Sequence, residues 1–553
     1  MIRTRVIPNP APALRSRRRA RRVAALALLA AVTATACSGG GTESGPGSGT
    51  DAGTGTSRSS APAKTRLPPP TSDPDSTLPL STAPATVPAV TRHTPARGPG
   101  WKPGPDSRVV VAPGRARLAD EARLLARELG IPYAGEDPVR RGDVELTDGT
   151  GAPSGPESYT IRTGGDRVLI TGRDPAGVFY GTRTVKQALR SGGVVPEGEI
   201  TDGPARPQRG LMIDIARKPF SAAWIEDRLR EMADLKLNQL GLHFSDDQGF
   251  RIESGRHPEV VSADRLTKAE VRRILALADS LHITVIPEID SPGHLGAVLK
   301  EHPELRLRDS AGRVVPGAID IGNPASARLV DELLREYAGL FPGRYWHLGG
   351  DEYQALTRRN PEASFPSLAA KARAAYGPGG RVSDLATRWV NDRAAVVRGL
   401  DRVPKAWNDG YFRGGEVSVA KDVEVEYWTG KEIGARPPEE YLAEGRRVVN
   451  LNDEYLYYVL GEPNDFTYPT GRRIYEEWTP LTLRGTKPVP SRYDSRILGA
   501  RFAVWCDLSK AQTPAQVAQG IRLPLAALSQ KIWNASPPPR SWQSFESLTR
   551  RLS

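Results

Sequence analysis

Residues 346–353 read Trp346-His347-Leu348-Gly349-Gly350-Asp351-Glu352-Tyr353. An apolar approach through Tyr345 and Trp346 runs into two glycines and then two adjacent carboxylates. This is the pattern of a strand that leaves a core and ends in polar chemistry. Glycines let a ligand approach the backbone closely. Two carboxyl groups at a strand end can take different environments, one ionised and the other held as an acid. An isolated Asp-Glu pair more often marks a solvated turn, because surface acids are common. The weight therefore rests on what surrounds it.

Segments of the same kind recur on both sides. Strand candidates lie at 210–216, 239–245, 283–289, 345–350, 403–407, 423–428, 447–451 and 497–505. Amphipathic stretches separate most of them, as at 223–235, 268–281 and 325–340. Eight strands alternating with helices over about 330 residues predict an α/β fold, a (β/α)8 TIM barrel, across 204–553. A doubly wound open sheet is the alternative, but no Gly-x-Gly-x-x-Gly follows a strand, which argues against a dinucleotide domain. Barrel chemistry sits at the C-terminal strand ends, and the polar residues gather there. They are Asp214 and Arg217, then His243, Asp246 and Asp247, then Glu288, Asp290 and His294, then Asp351 and Glu352. Later strands end in Trp407, Trp428 and Trp505, with Asp507 just beyond.

Before the barrel, 106–203 reads as a small α/β domain. Residues 109–111 form a strand, and 118–129 a helix that ends at Gly130. A hairpin of 159–162 and 167–171 turns at Gly164-Gly165, and 176–189 is a second helix. No catalytic constellation lies here, so a supporting role is expected. Residues 38–105 are rich in Gly, Ser, Thr and Pro and read as a disordered tether.

The net charge of +12 suggests nucleic acid at first sight. Eight arginines fall in the first 22 residues with no acid, and without them the remainder is an ordinary +4. No nucleic-acid-binding motif is present. That basic segment precedes an apolar run at 23–32, too short to span a bilayer, and then Ala34-Thr35-Ala36-Cys37-Ser38-Gly39-Gly40. The order describes a secretory signal, and Cys37 after small residues resembles a bacterial lipobox. Residues 1–37 are therefore expected to be a lipoprotein signal with Cys37 as the lipid-attachment residue. Cleavage near Ala36 to a soluble secreted protein is the alternative, and Ser16-Arg17-Arg18 leaves twin-arginine export open. The expected location is extracytoplasmic, with membrane contact only through the lipid. Only Cys37 and Cys506 are present, which excludes a Cys-rich zinc module. A lipidated Cys37 leaves no disulfide, so stability must come from a large core.

Taken together, Asp214-Ile215-Ala216-Arg217, His243-Phe244-Ser245-Asp246-Asp247-Gln248-Gly249, Pro287-Glu288-Ile289-Asp290-Ser291-Pro292-Gly293-His294 and His347 to Glu352 resemble the family-20 glycoside hydrolases, the β-N-acetylhexosaminidases. The resemblance runs from about residue 108 to the C-terminus and includes Leu523 to Trp533 in a closing helix. It implies substrate-assisted hydrolysis, in which the sugar's 2-acetamido oxygen attacks C1 and forms an oxazolinium. Glu352 would be the general acid–base. Asp351 would stay ionised and stabilise the developing charge. Asp246 and His294 would form a relay to Glu352, and the Tyr455 hydroxyl would bond the acetamido oxygen. Arg217, Trp407, Trp428, Trp505 and Asp507 would bind the sugar, Arg217 through its planar fork, and Asp290 would bind the sugar or orient a neighbouring group.

One departure stands out. Where many members carry Tyr-Leu-Asp or Tyr-Leu-Asn after strand seven, this chain has Tyr455-Leu456-Tyr457-Tyr458. Tyr457 replaces an acid that helps bind the terminal sugar, which keeps a disaccharide-releasing, lacto-N-biosidase-like enzyme open beside single-sugar release from glycans or chito-oligosaccharides. A sugar-binding lipoprotein without catalysis is a further alternative, opposed by the intact carboxylate pair. His243 and Asp246 have ligand-like spacing, but no compact set is visible and the implied mechanism needs no metal or cofactor. The expected partner is an oligosaccharide or glycoconjugate, and the oligomeric state stays open.

Overall fold

The computed structural model describes residues 69, 71, 73, 76–431 and 435–553. The lipobox with Cys37 and most of the expected tether lie outside them. The end of that tether is corrected. Arg92–Pro95 is a strand paired antiparallel with Gly198–Asp202, Val87 is buried, and Trp101 is fully buried. Folded structure therefore begins near Leu80, which bridges to Arg97, and not at 106.

The small domain is a six-stranded mixed sheet. Its order is Arg92–Pro95, Gly198–Asp202, Tyr159–Gly164, Arg167–Gly172, Val144–Asp148 and Val109–Val111. The expected hairpin is present, Tyr159–Gly164 running antiparallel to Arg167–Gly172. Helix Ala119–Leu129 stops because Gly130 takes a left-handed φ of 67°. Helix Pro175–Gly192 starts where the Asp174 side chain accepts the Gly177 N–H and proline occupies the first turn. That helix is buried over most of its length, between its own sheet and the rest of the molecule. Lys236 of the barrel is fully buried beneath it, its Nζ 3.0 Å from Asp202 Oδ2 and 2.8 Å from the Tyr159 hydroxyl. The indole N–H of Trp533 donates to the other Asp202 oxygen at 3.0 Å.

The barrel closes as expected from the eight apolar runs. Its strands, in order, are Gln208–Asp214, Gln239–Ser245, Thr284–Ile289, Tyr345–His347, Val403–Trp407, Glu424–Tyr427, Val448–Asn450 and Ile497–Trp505. All neighbours are parallel, and the eighth pairs with both the seventh and the first. A short extra strand, Tyr457–Val459, runs parallel to the far end of the eighth. The fourth strand ends at His347, three residues earlier than expected. Gly349 and Gly350 have φ of 68° and 96° and leave the extended region.

The lower barrel interior is charged. Lys405 Nζ lies 2.9 Å from Glu424 Oε2 and 3.2 Å from Glu426 Oε1, and Arg501 Nη1 lies 2.6 Å from Glu426 Oε2. Burial disfavours the Glu426 anion, but Arg501, Lys405 and His347 outweigh it and pull Glu426 down to about 2.

Candidate active site

The turn after the fourth barrel strand is built on glycine. A Cβ at Gly349 would sit 1.6 Å from Asp290 Oδ1. Without one, the Asp290 carboxylate tucks under the turn and accepts the Gly350 N–H at 2.9 Å. The next two residues are thereby delivered to the barrel mouth. Asp351 is buried, while the Glu352 side chain is 41 % exposed. Glu352 adopts φ +44° and His294 φ +54°, left-handed values that cost side-chain-bearing residues energy and concentrate at functional sites.

His294 faces both carboxylates. Its Nε2 is 3.4 Å from Glu352 Oε2 and 3.7 Å from Asp351 Oδ2, and its Nδ1 is 3.4 Å from Asp246 Oδ1. Asp246, His294 and Glu352 thus stand in a row, in the order of the expected relay. It extends further than the resemblance implied. Asp246 Oδ2 meets His243 Nε2 at 2.9 Å, His243 Nδ1 lies 3.3 Å from Glu288 Oε1, and Glu288 Oε1 lies 3.2 Å from His347 Nδ1. Glu288 also accepts the Trp407 indole N–H at 2.8 Å. A continuous polar path joins the charged barrel interior to Glu352.

Charges divide along this path. Burial alone would push His294 down, but Asp246 and Asp351 outweigh it and hold the ring well above its ordinary value. The hydrogen bond from His294 holds Glu352 below the usual carboxylate range, against burial. Oxygen and nitrogen atoms of Asp290, His294 and Asp351 lie within 4.8 Å of one another. Two carboxylates this close cannot both ionise readily. Burial first, and the Asp351 charge second, raise Asp290 well above normal. Burial also raises Asp351, opposed by His294 and by the hydrogen bond from Asp290. Of the two, Asp290 is pushed further toward its acid form, and a hydrogen bond from it together with His294 opposes the rise of Asp351. The opposite shifts of His294 and Glu352 favour a proton on His294, one contact away from Glu352.

A cleft of about 350 Å³ opens above these groups. Arg217, Trp428, Trp505 and Asp507 line it with His294, Asp351 and Glu352, as expected. Arg217 is fixed by Asp246 at 2.8 Å and Asp214 at 3.1 Å, and its guanidinium lies 5.3 Å from the Trp505 ring centre. Trp407 is 1 % exposed and stands behind Trp505, their ring centres 5.9 Å apart.

One expected ligand of the sugar is corrected, and for Asp290 one of its two expected roles is favoured. Asp290 is buried under the glycine turn and outside the cleft lining, which suits orienting a neighbouring group over binding the sugar. Tyr455 faces away, with its hydroxyl 3.4 Å from Glu477 Oε2 and the Arg473 guanidinium over its ring. The chain turns at 453–456 and only then enters the extra strand, whose alternation points Tyr457 and Val459 into the cleft and Tyr458 outward. Tyr457 stacks on Trp428 with centres 5.6 Å apart and planes 2° from parallel.

Asp409 is a site residue that sequence reasoning missed. One oxygen accepts the Glu352 backbone N–H at 3.0 Å and the other the Trp428 indole N–H at 2.9 Å. Burial and the Asp351 charge lift it to about 8. Its position, two residues past Trp407 at a strand end, was the available signal. Lys431, Asp453, Asn464 and Phe466 continue the cleft beyond Trp428 and were also missed.

The model of the glycosyl hydrolase family 20 catalytic domain matches residues 207–536, and that of the family's domain 2 matches residues 83–203. A lacto-N-biosidase from Bifidobacterium bifidum is 30 % identical over 489 residues, covering 85 % of this chain. A beta-hexosaminidase from Porphyromonas gingivalis is 32 % identical over 283 residues, covering 45 %. The chain spans 42 % and 36 % of the length of those two relatives. The solved family-20 β-N-acetylhexosaminidase of Streptomyces coelicolor A3(2) superposes with a TM-score of 0.67 at 22 % identity, over 86 % of this chain and 96 % of that one. With its catalytic-domain match covering more than half of its length, the chain belongs to glycosyl hydrolase family 20.

Proposed function

We propose that this enzyme removes terminal β-linked N-acetylhexosamine from glycans or chito-oligosaccharides with retention, through an oxazolinium intermediate. The observation that carries the reading is the placement of His294 Nε2 between Glu352 and Asp351 at the floor of an aromatic-walled cleft. Sugar binding displaces water from Glu352 and weakens the anion, so the proton held on His294 moves to Glu352. Glu352 then protonates the leaving oxygen while the acetamido oxygen attacks C1. Asp351 keeps its charge, orients the acetamido N–H and balances the oxazolinium. In the second half, Glu352 takes a proton from the water that attacks C1, and the free sugar leaves.

A second reading is release of a disaccharide. It is favoured by Tyr457 at the position of the expected acid and by the continuation of the cleft to Lys431, Asn464 and Phe466. The similarity to a lacto-N-biosidase points the same way. Rates on aryl N-acetylglucosaminide, N-acetylgalactosaminide and lacto-N-bioside decide between the two. Strong inhibition by a thiazoline analogue, weakened in Asp351→Asn, supports the mechanism. A sugar trapped covalently on Asp351 by a fluorinated glycoside would overturn it.

We place the enzyme outside the cytoplasm on a lipid anchor at Cys37, a reading supported by the basic, apolar and small-residue order of the first 40 residues. Cys37→Ala protein that still fractionates with membranes would refute this.

A further inference from the structure

Of the seven histidines in the chain, two converge on one glutamate away from the catalytic groups. His257 and Glu259 belong to the segment after the second barrel strand. His302 ends the helix Gly296–Glu301, which follows the third. His257 Nδ1 is 3.1 Å and His302 Nε2 is 3.2 Å from the same oxygen, Glu259 Oε1. The three ligand-type atoms all lie within 4.8 Å of one another.

The outer faces of both rings are also met by carboxylates. His257 Nε2 is 3.1 Å from Glu332 Oε2, and His302 Nδ1 is 3.5 Å from Glu304 Oε1. A neutral imidazole has one N–H and one lone pair. Each ring here has an acidic oxygen at both nitrogens, so one lone pair per ring would face a carboxylate. A cation among the inner atoms removes that conflict. It takes the lone pairs of His257 Nδ1 and His302 Nε2 with an oxygen of Glu259, while the outer N–H groups donate to Glu332 and Glu304. Carboxylates behind metal-bound histidines fix ring and tautomer in this way. The spacing agrees, because tetrahedral bonds of about 2.0–2.1 Å put ligand atoms roughly 3.3 Å apart.

We propose that His257, Glu259 and His302 form a binding site for a divalent transition-metal ion of the zinc class. Two imidazoles and one carboxylate suit such an ion better than calcium or magnesium, which take oxygen. Glu259 is 39 % exposed, so the ion enters from solvent and water completes its coordination. The ion would tie the second barrel loop to the helix that follows His294, with Glu332 bringing in helix Pro324–Ala338. Its role is to brace the loops around the mouth and not to take part in bond cleavage.

The test uses the full chain stripped with EDTA and titrated with zinc chloride by calorimetry, beside thermal melts. One zinc per chain with a saturable rise in Tm is expected, since a ligand of the folded state raises stability, and equal magnesium or calcium should give no rise. His257→Gln and His302→Gln should each weaken zinc binding at least about tenfold, while His282→Gln, whose ring pairs with Glu121, should not. Absence of zinc binding by the wild type would overturn the proposal. Binding that survives undiminished in both variants would place the ion elsewhere and also overturn it. The wild-type titration decides the matter even if a variant fails to fold.

Discussion

One side chain, Asp409, holds the backbone of Glu352, the proposed catalytic acid, its Oδ2 accepting the Glu352 N–H at 3.0 Å. The same side chain holds Trp428 through the indole N–H. It therefore sets the left-handed Glu352 backbone and the orientation of a cleft wall together. Asn in its place keeps one good acceptor and turns an amide N–H toward one of the two donors. Asp409→Asn should lower kcat/KM by about tenfold, which corresponds to about 1.4 kcal/mol, with a change in tryptophan fluorescence. Unchanged kinetics would remove Asp409 from the positioning machinery.

His294 makes the stability of the site depend on pH. Its folded value is raised above the unfolded imidazole value of about 6.5. The stabilisation it contributes is thus fully present below about pH 6.5 and is lost as pH rises through the raised folded value. Against His294→Gln, the wild-type advantage in Tm should be largest near pH 6 and shrink on the alkaline side. Turnover should fall over the same alkaline range, because the proton destined for Glu352 is gone. An advantage that grows with pH would contradict the assignment.

The two tyrosines are separable by removing one oxygen from each. Tyr457→Phe should reduce kcat/KM by roughly 5- to 10-fold, the scale of one lost hydrogen bond, because Tyr457 faces the cleft. Tyr455→Phe should stay within about twofold, since that hydroxyl meets Glu477 outside it. The reverse order in parallel assays would restore Tyr455 to the site.

Gly349→Ala places a methyl group 1.6 Å from Asp290 Oδ1 at a backbone φ of +68°. Both the clash and the left-handed backbone oppose it, so a loss of at least about 2 kcal/mol in denaturant unfolding is expected. Activity should fall further than stability alone explains, because a displaced Asp290 no longer donates to Asp351. A stable, active Gly349→Ala enzyme would show that the turn has room that the backbone denies.

The barrel was legible because each of its strands is an apolar run with a polar end. Gln239–Ser245, Val403–Trp407 and Ile497–Trp505 match their expected bounds at both ends. Strand Arg92–Pro95 was not legible. It is an edge strand with no buried residue, in a proline-rich stretch whose composition mimics a tether. In the site, residues carried by strand-end motifs were readable, and residues defined by partners on other strands were not. The burial of Asp290 follows from the turn after another strand. In Tyr455-Leu456-Tyr457-Tyr458, which tyrosine faces the cleft depends on where the turn ends, and no periodicity in four residues encodes that. The raised value of His294 depends on carboxylates carried by two other strand ends, Asp246 on one and Asp351 with Glu352 on the other, which only the folded chain brings together.

The pairing of Lys236 with Asp202 bears on how the protein can be divided. A truncation that starts at residue 204 would produce a barrel with its own strands intact. It would also leave an ammonium group, fully enclosed in the native chain, without its counter-ion, and the Trp533 indole without an acceptor. Removing one partner of such a buried pair destabilises by about 3–5 kcal/mol, a large share of what holds a domain together. The upstream sheet is therefore no detachable accessory. It supplies the anion that neutralises a cation planted in the wall of the barrel, so the barrel cannot be cut free of it without cost.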